Sequence, residues 1–487
     1  MAERGCPTPF LKQLFVTAGV SLNIGQFGMI SGYVVAIVPQ LTRPGAYIPM
    51  DDSAASWFAS IHALSLLVGY SIVAKTISDY GRRVGSIISS GLCLAGWISI
   101  LLAGNLTCLL LGRILQGLSL GFCLTLGPIV IAECTSPKNR GIFLASTTMC
   151  LSIGSAVVHY LGSFLHWRDT ALVCSVIGFI DLIICIYSPE TPTWLAGKGR
   201  FDECKKIFRW LRGDGEDEEL FALIQAVIDT NCNAKTKHDS VIPYIRSKCC
   251  YILATVKKKE VYKSITIGVH LLTICYWCGS AIFSSFPIEL IDSAVGKHVN
   301  TPIIIMTLDI NRLMNSVLAL YVVRKFKRRT MLFSTVGLTI ICSFVIAGYV
   351  YAKDHGMLPS DVPIISIILL HIQMFSISIG ALSLPVIIGG EIYPRKHRSL
   401  ASAFTRLSSC VHVFIVNKSF LDIVKVVKIY GCYCIFGSIC LYALIVCYFL
   451  MPETKDRTLQ DIEDELGGTV KVVKENTTEV LLEPNGV

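Results

Sequence analysis

Charged side chains are scarce in this chain. Asp, Glu, Lys and Arg make up 16% of its 487 residues, against 53% hydrophobic ones. A water-soluble fold cannot hide that much apolar surface, so the shortage excludes a soluble domain and makes the bilayer the solvent. A metal-ligand cluster, a phosphate-cradling glycine loop and an acyl-transfer constellation are missing too, which leaves no footing for a membrane enzyme. Cys275 and Cys278 are spaced as Cys-x-x-Cys inside an apolar run, but no second pair or His cluster completes a zinc site. Neither metal nor cofactor is expected. Most of the 20 cysteines lie in apolar runs, where a thiol behaves as a small hydrophobe, and no structural disulfide is expected. The net charge of +9 is spread over many short loops rather than gathered on one domain, which argues against nucleic acid as a partner.

Long apolar runs, by contrast, are abundant. A membrane helix needs about 20 such residues. Twelve candidates read as spans: 13–38, 55–77, 84–104, 107–131, 142–164, 170–188, 264–290, 302–323, 330–352, 362–389, 400–422 and 429–451. The first is too long and too glycine-rich for a cleaved signal peptide. Lys and Arg concentrate on one side, at Arg82, Arg83, Lys138, Arg140, the run 324–329, Arg395, Lys396 and Arg398. The excess predicts that this side is cytoplasmic and that both termini lie there, in a plasma-membrane protein. Receptors with seven spans are excluded by the count.

A basic turn occurs twice. Asp79-Tyr80-Gly81-Arg82-Arg83 follows the second span and Arg324-Lys325-Phe326-Lys327-Arg328-Arg329 follows the eighth. Repetition six spans later predicts a duplicated all-helical bundle, with a solute site between the halves. The expected division is a first six-helix bundle over 1–188, a polar cytoplasmic linker over 189–262, a second six-helix bundle over 263–452 and a cytoplasmic tail over 453–487. Within the linker, Phe201–Leu211 and Glu216–Ile228 have helical periodicity with one apolar face. The tail after Glu463 has no sustained period and is expected to be disordered.

Loop motifs add a family resemblance. Gly112-Arg113, Gln116-Gly117 and Gly121 open span 4, which leads into Glu133, and Arg140-Gly141 opens span 5. Pro189-Glu190-Thr191-Pro192-Thr193-Trp194-Leu195 ends span 6, Glu391-Ile392-Tyr393-Pro394 with Arg398 follows span 10, and Pro452-Glu453-Thr454-Lys455 ends span 12. In this order and spacing they resemble the sugar porter branch of the major facilitator superfamily, over nearly the whole chain. Gly32-Tyr33 to Pro39-Gln40-Leu41, Trp167-Arg168 and Trp210-Leu211-Arg212-Gly213 are similar to the insect facilitated trehalose and hexose transporters. The resemblance implies twelve helices in two pseudo-symmetric bundles, a small-molecule solute, a bilayer and a monomer.

The acids Asp79, Glu133, Glu190, Glu391 and Glu453 and the bases Arg82, Arg83, Arg113, Arg140 and Arg398 are all read as lying at cytoplasmic span ends. Opposite charges there predict inter-helix ion pairs that hold the cytoplasmic side shut and break when the bundles rock. The family has an acid and a glycine where this chain has Arg324 and Lys327. An asymmetric lock is therefore expected, resting mainly on Asp79, Glu133 and Arg140.

Aligned to the family's sugar-contacting positions, a span 5 Gln falls on Thr148, a span 7 Gln pair on Cys275 and Tyr276 and an Asn on Ala281. A span 10 Trp falls on Val386 and a span 11 Asn-Trp on Ser409-Cys410. Charges appear instead at Arg312, Asp309, Arg406 and Asp181. Asp309 and Arg312 are either a pair along one helix or a sign that Arg312 faces the cavity. Asp181 reads as a snorkelling or capped side chain. Gln26, Thr148, Tyr276, Ser280, Arg312, Ser383 and Ser409 are expected to line the cavity. The resemblance implies an acid on span 1 in proton-coupled members; this chain carries Asn23 and Gln26 there instead, and a neutral amide cannot titrate, which favours uniport over proton symport. His62, His159, His270 and His371 are read as packing residues. Asn105-Leu106-Thr107 fits the glycosylation pattern but hugs the membrane. The leading expectation is a facilitative sugar transporter. The alternatives are a carrier of another small polar or anionic solute and a non-transporting sensor on the same fold.

Overall fold

The computed structural model describes residues 8–213, 216–234, 254–296, 298–357, 362–394, 397–455, 457 and 459–468. Ten of its helices are long and apolar enough to cross a membrane. The first half is regular. Span 1 is α1 (Pro9–Gly32) continued by α2 (Val34–Leu41), and spans 2 to 6 are α3 (Asp52–Asp79), α4 (Arg82–Leu101), α5 (Leu106–Cys134), α6 (Pro137–Phe164) and α7 (Trp167–Tyr187). Local chemistry sets their starts. The Asp51 carboxylate accepts from the Ala54 N–H at 2.7 Å and the Asn105 side chain from Cys108 N–H at 2.9 Å, while Pro137 occupies the first turn of α6.

On the basic side follow α8 (Pro192–Gly197), α9 (Phe201–Arg212) and α10 (Asp217–Ala234). The last two answer the periodicity of the linker. α9 docks on the first bundle, where Gln13 donates to Leu211 O at 3.1 Å and Arg212 to Thr135 O at 3.0 Å.

The second half is more broken. Span 7 crosses as α11 (Lys259–Trp277), α12 (Ser280–Ser285) and α13 (Pro287–Ala294). Gly279 (φ 96°) interrupts it, in a region of backbone space that glycine enters freely. Spans 8 and 9 are α14 (Thr301–Lys325) and α15 (Arg328–Asp354). Span 10 is α16 (Pro363–Ser376), a π-helical turn over Ile377–Ala381, and α17 (Leu384–Ile392). Spans 11 and 12 form one run, α18 (Arg398–Leu450), broken at Lys428 (φ 56°, ψ −178°). The broken span 7 and this double crossing bring the ten long helices to twelve spans, in two six-helix bundles.

The tail does not lose order at Glu463. α19 (Leu459–Gly467) continues past it and buries Ile462 and Leu466 in the core of the second half. That amphipathic face is what the reading of a featureless tail overlooked; residues beyond 468 lie outside the described residues.

The cores reveal which side is closed. One large apolar cluster mixes both halves, bringing Ile30, Val34, Ile37 and Phe58 together with Phe283, Phe286, Ile291 and Phe420. It lies toward the side opposite the basic loops, here called the far side. Two further cores each belong to one half: Val73, Ile77 and Leu126 in the first, and Met331, Leu332 and Ile388 in the second. Among the described residues, the halves therefore share a core on the far side and not on the basic side.

Helices of the first half approach so closely that only glycine fits between them. A Cβ at Gly28 would sit 1.9 Å from Leu151 O, one at Gly154 1.9 Å from Gly25 O, and one at Gly121 2.6 Å from the Gly69 backbone.

Candidate functional site

The repeated basic turns build the same structure twice. In the first half, Arg82 Nη2 lies 3.0 Å from Glu133 and Nη1 donates to Ile77 O, while Arg83 Nη2 donates to Ile186 O. Glu190 accepts from the backbone N–H groups of Arg82, Arg83 and Thr191. In the second half, Arg328 Nη2 lies 3.3 Å from Glu391 and Nη1 donates to Val323 O, while Arg329 Nη2 donates to Tyr448 O. Glu453 accepts from the N–H groups of Arg328, Arg329 and Thr454. Each of these two acids thus sits at the N-terminus of a spanning helix, where the dipole and the free N–H groups favour an anion. Gly81 (φ 103°) leaves room for the first, since a Cβ there would lie 2.1 Å from Glu190 Oε2.

This geometry corrects the expected lock in three ways. It is not asymmetric: Arg328 and Arg329 form the second copy without an acid at 324 or a glycine at 327, because Lys327 is extended (φ −64°) and Arg328 carries the side-chain contacts. The Arg324 side chain lies outside the described residues. Asp79 is exposed and makes no ion pair among the described residues, and Arg140 donates to Ala132 O at 2.9 Å rather than pairing with an acid. Arg398 likewise donates to a backbone oxygen, Gly390 O, at 2.8 Å. Arg113 is not at the basic side at all. It lies in the second turn of α5 from the far side, fully buried, donating to Phe58 O at 2.9 Å and Ile30 O at 2.6 Å and stacked over Phe58. Every ion pair named above ties helices within one half.

The two staple acids differ electrostatically. Burial pushes the Glu190 carboxyl above its ordinary value, more than its backbone donors lower it. For Glu453, burial acts the same way but is outweighed by the N–H groups of Lys455, Arg329, Arg328 and Thr454, which hold the carboxyl below its ordinary value.

Most of the bonds named here between the halves lie toward the far side and the middle. Lys425 Nζ meets Asp52 Oδ2 at 2.6 Å, Lys418 Nζ donates to Ser56 Oγ at 2.7 Å, and His159 Nδ1 lies 2.7 Å from Asp309 Oδ2. Nearer the basic side, Arg406 donates to Thr125 at 3.0 Å and stacks over Tyr70. These contacts join residues far apart in sequence, and no local signal announces them. The Asp309–Arg312 pair read along one helix is not formed: Asp309 is taken by His159, and Arg312 donates to Ser284 Oγ at 3.2 Å. His159 is accordingly more than a packing residue.

The expected cavity residues separate into groups. Tyr276 and Ser280 flank the break in span 7, Tyr276 with its ring edge-on to His412 and Ser280 donating to Cys275 O at 2.6 Å. Arg312 is 7% exposed beside α12, with its Nε unpartnered. Ser409 donates to Arg406 O at 2.7 Å, on the face of α18 that reaches the first half. Ser383 closes the π-helical turn by donating to Ser378 O at 2.9 Å. Thr148 is exposed on α6, eleven residues before His159 and so close to three full turns away on the same face. Gln26 lies apart from these, inside the first bundle, accepting from Trp97 Nε1 at 2.8 Å and from Cys93. Asp181 does not snorkel. It is fully buried and accepts from Asn23 at 2.8 Å and Ser90 at 2.7 Å. A small crevice of about 40 Å3 also lies inside the first half, lined by Asn23, Arg82, Arg83, Ser89 and Cys185, and is not the space between bundles.

The chain is similar to proteins already known. Residues 15–466 match the family described as sugar (and other) transporter. The "Sugar transporter ERD6-like 12" of Arabidopsis thaliana is 30% identical over 442 residues, 90% of this chain and 90% of that protein. The "Facilitated trehalose transporter Tret1" of Apis mellifera ligustica is 26% identical over 96% of this chain and 90% of that protein. The chain spans about half the length of several other trehalose transporters of that name. Among solved structures, the inward open xylose transporter XylE from E. coli superposes with a TM-score of 0.72 at 18% identity, over 93% of this chain and 99% of that one.

Proposed function

Since the chain belongs to the sugar (and other) transporter family, on a major facilitator superfamily fold, we propose that it moves a sugar such as trehalose or a hexose down its gradient, as a uniporter working by alternating access. The observation that carries the reading is the shared far-side core set against two separate basic-side cores. A site between bundles sealed on one side and parted on the other is one state of such a cycle. The named activity of the trehalose transporters supports the solute class. The amides Asn23 and Gln26, where a coupling acid would be needed on span 1, support uniport.

In this reading the basic side is cytoplasmic by its Lys and Arg excess, and the protein acts as a monomer in the plasma membrane. The proposed domain division is the one drawn from the sequence, with α19 of the tail packed on the second bundle. Thr148, Tyr276, Ser280, Arg312, Ser383 and Ser409 contact the solute, and Gln26 joins them only if α1 turns during the cycle. The staples around Glu190 and Glu453 fix loop geometry within each half.

A second reading has one observation of its own. Arg312 is buried with an unpartnered Nε, and a neutral hydroxyl satisfies a guanidinium less well than a carboxylate does. It makes the solute a small anion such as a hexuronate.

The test is counterflow of radiolabelled trehalose and glucose in liposomes with no proton gradient. Saturable flux supports the sugar uniporter. No flux from a folded preparation overturns it and moves the choice to the anionic solute or to a non-transporting sensor. Competition by glucuronate that is lost in Arg312→Leu would select the anion.

A further inference from the structure

The far-side seal holds one acid–base pair that carriage of a neutral solute does not require. His159 on α6 and Asp309 on α14 come from opposite halves, and their side chains are 0% and 4% exposed. Nδ1 of the ring lies 2.7 Å from Asp309 Oδ2, and Nε2 lies 3.1 Å from Ser284 O. A carbonyl oxygen only accepts, so Nε2 carries a proton. Between Nδ1 and a carboxylate oxygen a second proton must lie, because two facing lone pairs at that distance repel. The geometry therefore fixes the pair's proton count at two, whichever partner formally owns the bridging one.

The surroundings supply the other half of the device. Asp309 Oδ1 and Arg312 Nε are both buried without a hydrogen-bond partner, one turn apart on the same helix. Buried polar atoms left unpaired cost free energy, and these two would satisfy each other. Across from the ring, α1 presents Gly32, whose Cβ would stand 3.1 Å from it, and the Tyr33 hydroxyl is occupied by Trp167 O. α12 presents Ser284 and the edge of Phe283, and the thiols of Cys275 on α11 and of Cys278 just beyond its end lie near Arg312. Among the described residues, Asp309 is the acid facing the ring and Arg312 is the base facing Asp309.

We propose that His159, Asp309 and Arg312 form a proton-operated latch on the far-side seal. The seam closes with the bridging proton bound. When it parts, Asp309 turns to Arg312 as a carboxylate–guanidinium pair, and the imidazole releases its proton to far-side water. No bond other than N–H is made or broken, and one proton leaves per opening. With the basic side parted the pair stays buried, so the proton returns from the side it left. The latch therefore tunes a uniporter rather than driving it. This rests on the alternating-access reading above.

Linkage gives the size. One extra proton in the sealed state shifts the seal equilibrium by up to about tenfold per pH unit. Rising pH favours opening.

Hydrogen–deuterium exchange of the purified full-length protein between pH 6.5 and 8.5 tests this without any solute. Basic-side peptides from the same digest correct for the intrinsic rate. Peptides from the far-side end of α6 and start of α14 should lose protection by up to about tenfold per pH unit. Asp309→Asn, whose amide can bond the ring without a bridging proton, should flatten that response, and so should His159→Gln. A flat wild-type profile, or an unchanged slope in both variants, overturns the latch. If neither variant folds, the wild-type profile alone decides. Absent sugar flux would sink the solute reading while leaving this result intact.

Discussion

Glu453→Gln and Glu190→Gln should behave differently, although the two acids occupy equivalent places in the repeat. Glu453 accepts backbone N–H groups from Arg328, Arg329, Thr454 and Lys455 at 3.0–3.1 Å, at the open end of α15. Glutamine keeps one acceptor oxygen but loses the charge, and charge-assisted bonds are roughly twice as strong as neutral ones. With a helix-end charge contributing about 0.3–1 kcal/mol and a lost cap about 1 kcal/mol, the variant should lose about 1 kcal/mol after allowing for solvent screening. Glu190 has similar donors, but burial raises its carboxyl above the ordinary value, so its charged form brings little net gain and glutamine should be close to neutral. The pH signs are opposite. The contribution of Glu453, whose folded value is depressed, is full above about pH 4.3 and drains as pH falls through that lower folded value. That of Glu190 is present below the ordinary value and lost as pH rises through the raised one. The assay is the temperature at which half the protein leaves the monodisperse size-exclusion peak, at pH 7 and in acid. Glu453→Gln should fall by a few degrees at pH 7 and converge on the parent in acid. Equal losses in the two variants, or a Glu453 loss that persists in acid, would refute the reasoning.

Restoring the family's side chains with Thr148→Gln and Val386→Trp should tighten hexose or trehalose binding in the counterflow assay; unchanged half-saturation would refute the alignment of the cavity. Lys428 has φ 56° and ψ −178°, a region almost exclusive to glycine that costs other residues about 1–3 kcal/mol. Lys428→Gly should raise the half-loss temperature, since the gain exceeds both the unfolded-state entropy of glycine and the exposed Lys428–Asp354 contact at 3.7 Å. A lower temperature would show that the lysine is favoured where it stands.

Apolar run length was enough to place all twelve spans, because a bilayer demands it of each crossing separately. The break inside span 7 was visible too, in Gly279 and Pro287, but a count of apolar residues passes over it. The turn between spans 11 and 12 falls at Lys428, where neither glycine nor proline announces it. Charges at loop ends signalled the staples, since those partners sit in repeated motifs. The side of Arg113 followed from its place at the start of span 4, and its basic character suggested the wrong end. His159 and Asp309 are 150 positions apart; in sequence His159 stands alone in an apolar run and Asp309 reads as a partner for Arg312, and only packing of the halves makes the two neighbours.

The glycine contacts of the first half have a mechanical consequence. Where Gly28 meets Leu151 and Gly121 meets Gly69, the backbones touch with no side chain between them to act as a bearing. Such surfaces cannot slide without opening a void, so the helices they join travel together. The second half is jointed instead, at Gly279, at the π-helical turn over Ile377–Ala381 and at Lys428. The molecule is thus a rigid block facing a flexible one, with bending concentrated in spans 7 and 10 of the jointed half.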